Sequence, residues 1–182
     1  ITDWPVFVKP DCGQGSQGAL KISDRTALEE HVIKNSGLLV CEYLPGEEFT
    51  VDCFTQSGKG LLFCQARTRE RIRAGISMAS RNVEIAGITM IAQALSHRLK
   101  LFGSWFFQIK LARSGDPVLL EIAPRIAGTM ALNRVRGINF PLLSIYEHMG
   151  VPVSINPLEG NVKISRALLN RYKNEIHYKC VY

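Results

Sequence analysis

A carboxylate and a guanidinium lie close together at the end of one apolar run. In the stretch LLEIAPRIAG, residues 119–128, Glu121 follows two leucines and Arg125 comes just after Pro124. A carboxylate is a hard oxygen ligand that suits Mg²⁺, and the planar fork of a guanidinium matches the oxygens of a phosphoryl group. Taken alone, however, the stretch favours a plain surface ion pair between Glu121 and Arg125.

An amide oxygen is expected beside this carboxylate. The segments SWFFQIKLA (104–112) and PVLLEIA (117–123) have strand character and flank RSGDP, which has the residues of a tight turn. If this turn pairs the two strands, Gln108 and Glu121 can approach each other across them. Together they would offer oxygens to a Mg²⁺ ion that is bound jointly with a triphosphate.

A glycine-rich loop follows the first strand-like run. GQGSQG, residues 13–18, has the GxGxxG spacing of a dinucleotide-binding loop, but the following residues 19–22 look extended, whereas that loop must open directly into a helix. The signatures of a Walker A loop and of a protein kinase are also absent. A glycine hairpin that wraps phosphate oxygens with its backbone N–H groups remains, with Lys9 as a nearby positive charge. The alternative is a flexible surface turn.

These residues need a scaffold, and the pattern predicts one of hairpins and helices. The predicted strands cover 4–10, 19–22, 38–44, 48–55, 61–69, 104–112, 117–123 and about 162–172. The predicted helices cover 25–35, which follows the cap Ser23-Asp24, about 83–100, about 129–136 and about 141–149. Antiparallel hairpins mixed with separated helices predict an α+β layered domain rather than a doubly wound fold.

Composition narrows the class of protein. The 182 residues are 46% hydrophobic and 21% charged, which fits one globular domain, and neither a membrane span nor a signal peptide is evident. The cysteines at 12, 41, 53, 64 and 180 are widely spaced without a CxxC pair, which indicates reduced thiols in a cytoplasmic protein. The net charge of +6 fits an anionic ligand such as a nucleotide as well as it fits nucleic acid, and a Lys/Arg-rich tail is absent.

Five segments together resemble the ATP-grasp enzymes in order and rough spacing. They are Lys9-Pro10, the loop 13–18, CEYLPGEEFTVDCF (41–54), FFQIK (106–110) and LLEIAPRIAGT (119–129). The chain looks most like the carbamoyl-phosphate-synthase-like branch of carboxylate–amine ligases, over about residues 4–150. The resemblance implies two antiparallel-sheet and helix subdomains with the nucleotide between them. We expect an ATP-lid subdomain with the glycine hairpin at about 4–75, a metal and phosphate subdomain at about 76–150, and a C-terminal strand region at 151–182.

The resemblance also implies which residues contact ATP. They are Lys9, Gly13, Gly15, Ser16, Gly18, Glu42, Tyr43, Leu44 and Glu48. By that resemblance, Lys9 and the glycine loop contact the phosphates, and residues 42–44 form a hinge whose backbone edge pairs with adenine. Glu48 holds the ribose hydroxyls. Asp52, in the same alternating strand, is expected to face solvent or to neighbour the ribose site.

The metal and the reacting phosphoryl group are expected at the second hairpin. By the resemblance, Gln108 and Glu121 bind Mg²⁺ or Mn²⁺, and Arg125 stabilises the charge that develops on the γ-phosphoryl group. The reaction implied is attack of a carboxylate on the γ-phosphate, after which an amine or another nucleophile displaces phosphate from the acyl phosphate. The carboxylate and amine substrates remain unidentified.

Four arginines alternate in RTRERIRAGIS, residues 67–77, which the resemblance makes a loop over the phosphates. Arg67, Arg69, Arg71 and Arg73 would share one face if the strand continues, and such like charges repel one another unless anions lie nearby. We expect Arg73 to contact a phosphate or the substrate carboxylate, with Arg71 as the second choice. The alternatives are a solvated edge strand and a basic patch for RNA.

Two departures from the family pattern favour a rival function. Ala123 stands where members usually carry an Asn metal ligand, two residues after the metal-binding Glu. The chain also begins too late to contain the family's N-terminal subdomain, so we expect a piece of a longer polypeptide with fused domains on both sides. We also expect that the protein can form an oligomer. The rival is therefore a non-catalytic ATP-binding or regulatory module.

Overall fold

Two antiparallel sheets organise the part of the chain that the structure describes. The computed structural model describes residues 3–13, 15–73 and 75–166. Its strands are β1 (Val6–Pro10), β2 (Leu20–Ile22), β3 (Leu38–Glu42), β4 (Glu48–Gln56), β5 (Gly60–Thr68), β6 (Glu70–Arg73), β7 (Ile76–Val83), β8 (Gly103–Leu111), β9 (Pro117–Ala123) and β10 (Lys163–Ser165). The small sheet has the order β2-β1-β3, and the large sheet has the order β10-β7-β5-β4-β8-β9, with β6 paired to β7.

Within the described residues, four helical segments pack on these sheets. They are α1 (Arg25–Lys34), α2 (Ile88–Leu99), a 3₁₀ helix (Gly128–Arg136) and α3 (Phe140–His148). The mixture of antiparallel sheets and helices confirms the predicted α+β class. Within the described ranges, no helix has both the length and the apolar character that a membrane span would need.

The small sheet is closed on one side by α1. Asp24 caps this helix as predicted, since its carboxylate accepts a hydrogen bond from the backbone N–H of Ala27 at 2.9 Å. Leu28 of α1 packs against Val6 and Val8 of β1 to form a small core. This core fixes the strand from which Lys9 projects.

The large sheet is covered on both faces because β4 runs through its middle and is buried along almost its whole length. Side chains alternate along a strand, so Val51 and Cys53 pack on the α2 side, whereas Phe54 packs on the side of the 3₁₀ helix and α3. The 3₁₀ helix contributes Met130 to this second core. The sheet is thus held rigidly between two layers of helix.

Two sequence predictions are wrong in their element bounds or type. The helix expected over 83–100 begins only at Ile88, because residues 76–83 are drawn into β7, which forms hydrogen bonds with β5, β6 and β10. The helix expected near 129–136 is present as a 3₁₀ helix. Of the strand expected near 162–172, β10 covers 163–165, and residues 167–172 lie outside the described residues.

The change from the small to the large sheet falls between Glu42 and Glu48. The expected division at about residue 75 instead lies at the turn between β6 and β7, inside the large sheet. The subdomain division itself stays a prediction.

Candidate functional site

A cleft of about 480 Å³ lies between the small sheet and the β8–β9 hairpin. Most of the residues predicted to bind nucleotide or metal line it: Lys9, Gly13, Gly15, Ser16, Glu42, Tyr43, Leu44, Glu48, Gln108 and Glu121. A second groove, of about 560 Å³ between Trp4 and α1, contains none of them. The fold therefore brings ten predicted residues from separate segments into one cleft.

Gln108 and Glu121 are direct cross-strand partners in β8 and β9. The Nε2 of Gln108 donates a hydrogen bond to Oε1 of Glu121. A bulge follows Gln108 and shifts the register for the rest of the hairpin. The predicted approach of these two side chains is confirmed.

The Gln108–Glu121 pair fits a metal ion only together with a nucleotide. The hydrogen bond leaves the amide Oε1 of Gln108 and the second carboxylate oxygen of Glu121 as acceptors. Ala123, on the same face of β9, has no oxygen to add, and the described residues contain no group of three or more acidic, histidine or cysteine side chains that could hold a metal. Mg²⁺ suits such a site because it takes one or two protein oxygens and completes its shell with phosphates and water.

Lys9 connects the two walls of the cleft. Its Nζ donates a hydrogen bond to the backbone carbonyl of Leu120, at 3.4 Å. Leu120 directly precedes Glu121, so the ammonium of Lys9 stands next to the candidate metal ligand. A phosphate bound in the cleft would meet this cation.

The segment between the sheets, residues 43–47, is pinned to the end of β8. The N–H of Gly46 donates to the carbonyl of Leu111 at 3.0 Å, and the N–H of Leu111 donates to the carbonyl of Glu47 at 2.9 Å. A Cβ on Gly46 would lie 2.5 Å from the carbonyl oxygen and the Cβ of Leu111, so only glycine permits this approach.

Two ammonium groups flank the hinge tyrosine, Tyr43. Lys21 Nζ lies 4.5 Å and Lys110 Nζ lies 5.9 Å from the centre of the Tyr43 ring, which places both within the range of a cation–π interaction. Lys110 also lines the cleft. Lys110 was not among the site residues predicted from the sequence, although its position two residues after Gln108 puts it on the same face of β8.

Glu48, the expected ribose ligand, forms an ion pair with Arg69, whereas Arg73 and Arg71 were the arginines predicted to act at the site. Oε1 of Glu48 lies 2.6 Å from Nε of Arg69, and Nη1 of Arg69 donates to the hydroxyl of Thr50 at 3.2 Å. Burial lowers the pKa of the Arg69 guanidinium, and the negative charge of Glu48 opposes that shift. Arg69 is thus a partly desolvated cation directly beside the cleft.

The other three arginines of the alternating series have different surroundings. Arg67 is buried, whereas Arg71 and Arg73 are exposed on β6 and do not line the cleft. The structure therefore does not place Arg73 in the cleft lining, and its role at the phosphates stays a prediction. It also leaves only Arg71 and Arg73 of this series free for a basic patch, which weakens the RNA alternative.

Arg125 is exposed and lies outside the cleft lining as well. Its guanidinium stacks 5.0 Å above the centre of the Phe106 ring, and Nη1 donates to the carbonyl of Ile126 at 3.3 Å. Among the described contacts, its partner is thus Phe106 rather than Glu121, so the surface ion pair that the sequence favoured is not formed. Gly18 also lies outside the lining and packs on Pro10.

Asp52 is fully buried, so the expectation that it faces solvent or the ribose site is wrong. Its Oδ2 accepts hydrogen bonds from Nε of Arg67 at 2.9 Å and from Nδ2 of Asn133 at 3.1 Å. Desolvation raises the pKa of the Asp52 carboxyl, and the charge of Arg67 opposes this effect. The hydrogen bond between Asn133 and Asp52 holds the 3₁₀ helix against the face of the large sheet.

Comparison with known proteins identifies the family. The family described as "ATP-grasp in the biosynthetic pathway with Ter operon" matches residues 34–167, which is most of the chain. A comparison with curated proteins gives no match.

Solved structures share the fold at low sequence identity. The biotin carboxylase domain of Hydrogenobacter thermophilus 2-oxoglutarate carboxylase, in complex with MgADP, ADP and bicarbonate, gives a TM-score of 0.73 at 12% identity over 88% of this chain and 41% of its own. N5-carboxyaminoimidazole synthetase from Staphylococcus aureus, complexed with ADP, gives 0.70 at 20% identity over 91% of this chain and 47% of its own. The L-amino acid ligase from Bacillus licheniformis gives 0.58 at 20% identity over 81% of this chain and 39% of its own.

The chain spans less than half the length of each of these three structures, and the likeness establishes the fold. Together with the family match over residues 34–167, it confirms the expected ATP-grasp fold. This chain belongs to the ATP-grasp family described as "ATP-grasp in the biosynthetic pathway with Ter operon".

Proposed function

We propose that this chain provides the nucleotide site of a Mg-ATP-dependent ligase that activates a carboxylate as an acyl phosphate. The observation that carries the proposal is the Gln108–Glu121 pair, which faces the same cleft as Lys9 and the glycine loop. Two of the similar structures contain ADP, one of them as its magnesium salt, and this supports ATP and Mg²⁺ as the ligands here. By the earlier resemblance, the ligase is of the carbamoyl-phosphate-synthase-like, carbon–nitrogen bond-forming kind.

Each wall of the cleft has its own task in this proposal. Lys9 and the backbone N–H groups of the glycine loop bind the phosphates, and the backbone of residues 42–44 meets the adenine. Glu48 orients the ribose. Gln108 and Glu121 would hold a magnesium ion, which would supply positive charge to neutralise the phosphate oxygens of the nucleotide.

The chemistry proposed needs no covalent intermediate on the protein. A substrate carboxylate oxygen attacks the γ-phosphorus, the bond to the bridging oxygen breaks, and ADP leaves. An amine or another nucleophile then attacks the acyl carbon and expels inorganic phosphate. The protein contributes position and charge, and Arg125 and Arg73 serve this proposal only if substrate binding turns them toward the cleft.

A second candidate is a non-catalytic ATP-binding module. Ala123, which offers no metal oxygen, and the position of Arg125 on Phe106 outside the cleft both favour it. The two candidates agree on nucleotide binding and differ only in turnover.

The experiment is a calorimetric titration of this chain with MgATP, followed by an assay of ADP release with a panel of carboxylates and amines. ADP release that requires both substrates supports the ligase. ATP binding without release under any pair favours the module. Absence of MgATP binding contradicts both.

We also propose a cytoplasmic location, because reduced thiols are expected there. Within the described ranges, Cys12, Cys41, Cys53 and Cys64 are free. An oligomer and fused domains remain proposals too.

A further inference from the structure

We propose that Arg69 is a positioning residue that couples the ribose end of the cleft to the glycine loop. One guanidinium contacts both Glu48 and the carbonyl of Gly75, and the glycine loop rests on the backbone of Gly75. The inference rests on the proposed nucleotide site, since Glu48 and the loop are its two ends.

The guanidinium of Arg69 has three partners: Nη1 and Nη2 donate hydrogen bonds, whereas Nε is in ion-pair contact only. Nε lies 2.6 Å from the carboxylate of Glu48, Nη1 donates to Thr50 Oγ1 at 3.2 Å, and Nη2 donates to the carbonyl of Gly75 at 2.7 Å. Because the guanidinium is planar and rigid, its three partners are held in one fixed arrangement. A displacement of Glu48 is therefore transmitted to Gly75.

Gly75 lies in the turn between β6 and β7, where it touches the glycine loop. A Cβ on Gly75 would lie 3.0 Å from both the carbonyl carbon and the Cα of Gly15, and 3.2 Å from Oγ of Ser16. Its φ of +72° also favours glycine. The backbone of Gly15 in the glycine loop thus packs directly against the backbone of Gly75 in the turn between β6 and β7.

Arg69 also lies in the field of both candidate ligand acids. Its side chain is 8% exposed, burial lowers its pKa, and the charges of Glu48 and Glu121 oppose that shift. A hydrogen bond from a charged donor to a partly buried carbonyl is stronger than a neutral one. The hydrogen bond from Arg69 to the carbonyl of Gly75 is therefore strongest when the carboxylates of Glu48 and Glu121 compete least for the charge of the guanidinium.

This geometry makes ribose binding and loop seating interdependent. A ribose hydroxyl that donates to Glu48 takes up part of that carboxylate's negative charge, and the guanidinium then interacts more strongly with the carbonyl of Gly75. By thermodynamic reciprocity, a seated loop also favours nucleotide binding at Glu48. Arg69 acts through these two groups and does not touch the reacting atoms.

The test compares amide hydrogen exchange of residues 13–18 in nucleotide-free wild-type chain and in Arg69→Lys. Lysine retains the charge beside Glu48, but its single ammonium cannot span Glu48, Thr50 and Gly75 together. We expect exchange in the loop to rise about tenfold or more, the effect of losing one hydrogen bond from a charged group. The matched control is Arg98→Lys on the exposed surface of α2, which should leave loop exchange unchanged.

Gly75→Ala gives a second measurement that does not depend on how Arg69 variants fold. The added methyl group forces the backbone at position 75 away from Gly15, so amide exchange in the loop should rise as it does in Arg69→Lys. The double variant should show no further increase, because both changes act on the same contact. Loop exchange that stays at the wild-type level in both single variants overturns the inference, as do fully additive effects.

Failure of this inference can be told from failure of the proposed function. The exchange experiment contains no nucleotide, so its result stands whether or not the chain binds MgATP. If wild type binds MgATP, Arg69→Lys should weaken the affinity about tenfold while exchange in the α2 core stays unchanged. Equal affinity in Arg69→Lys and wild type contradicts the coupling and leaves the nucleotide site intact.

Discussion

Asp52 and Arg67 form an ion pair inside the large sheet, with Oδ2 and Nε 2.9 Å apart and side-chain exposures of 0% and 2%. The same carboxylate oxygen accepts a hydrogen bond from Asn133 of the 3₁₀ helix. The ion pair therefore joins β4 to β5, and the hydrogen bond from Asn133 joins both strands to the 3₁₀ helix. Ionic groups at this depth need all their partners, since each charge has lost its water.

Replacing Asp52 by Asn should destabilise the chain strongly, because the buried charge of Arg67 would lose its counter-ion. The expected loss is about 3–5 kcal/mol in the free energy of unfolding. Denaturant titration followed by tryptophan fluorescence measures it. The double variant Asp52→Leu/Arg67→Met, which removes both charges, should recover most of the loss; a double variant as unstable as Asp52→Asn would contradict this account.

Replacing Glu121 by Gln should abolish the magnesium dependence of ATP binding while leaving the fold intact. The substitution removes the one carboxylate of the pair but keeps its shape, so β8 and β9 should remain paired. We expect at least a tenfold loss of affinity for MgATP in a calorimetric titration. Asp116→Asn, at an exposed acid in the β8–β9 turn, is the control and should bind as wild type does. Unchanged affinity in Glu121→Gln would remove the metal assignment.

Replacing Ala123 by Asn should strengthen metal binding. Position 123 lies on the same face of β9 as Glu121, so an amide there would add an oxygen beside the existing pair. The magnesium concentration that gives half-maximal ATP binding should fall several-fold. Ala123→Val adds bulk without an oxygen and should give no such gain; an equal gain in both variants would point to packing instead.

Glu70 should make stability depend on pH in the acid range. Hydrogen bonds from Lys163 and Thr68 lower the pKa of its carboxyl in the folded state. A lowered folded pKa means that the stabilisation is present above the unfolded value, near 4.5, and is lost as the pH falls through the folded pKa. Thermal unfolding midpoints of wild type and Glu70→Gln should therefore differ at pH 7 and converge at lower pH.

The Glu70 effect should be small and sensitive to salt, because its partners Lys163 and Arg81 are largely solvated and Glu70 itself is partly exposed. Adding salt at pH 7 should bring the two midpoints together. A constant difference between the proteins at every pH would mean that Glu70 acts through packing rather than charge.

Replacing Gly46 by Ala should disturb the connection between the sheets. The added methyl would lie 2.5 Å from backbone and side-chain atoms of Leu111, so one of the two segments must move. We expect a loss of about 1–3 kcal/mol in unfolding free energy, the usual effect of forced overpacking. Glu47→Ala, at the exposed neighbour, should change it by less than about 0.5 kcal/mol. Equal values for the two variants would contradict the steric argument.

The second hairpin could be predicted from sequence because a tight turn joins two alternating strands. Its exact register could not, since the register near the turn, with Ile109 opposite Leu119, would place Leu120 opposite Gln108, and a bulge brings Glu121 there instead. The other residues of the cleft were predicted from the resemblance of several short segments to the ATP-grasp enzymes. Neither inference required knowledge of distant contacts.

The arginine series could not be resolved in the same way. Four arginines at equal spacing are identical by type, and their environments differ only through distant partners. Arg67 meets Asp52, and Arg69 meets Glu48, because β4 lies beside β5. The strand β7 was missed for a related reason, since its hydrogen bonds to three other strands decide its conformation and a weak apolar pattern does not.

Asp52 shows the limit of alternation as a guide. The pattern of β4 indicates which residues share a face, but a face that carries Asp52 looks solvated until another element covers it. The 3₁₀ helix does so, and its Asn133 donates a hydrogen bond to Oδ2 of the acid. Only the tertiary structure contains this information.

The hydrogen bond between Lys9 and the carbonyl of Leu120 has a consequence for how a nucleotide would enter. The ammonium already has a partner on the opposite wall, so an arriving phosphate must compete with that carbonyl. The affinity for the nucleotide would then be the difference between the contact of Lys9 with the phosphate and its hydrogen bond to Leu120. The exchange would also cut one direct tie between the small sheet and β9, so the nucleotide itself would become the bridge that replaces it.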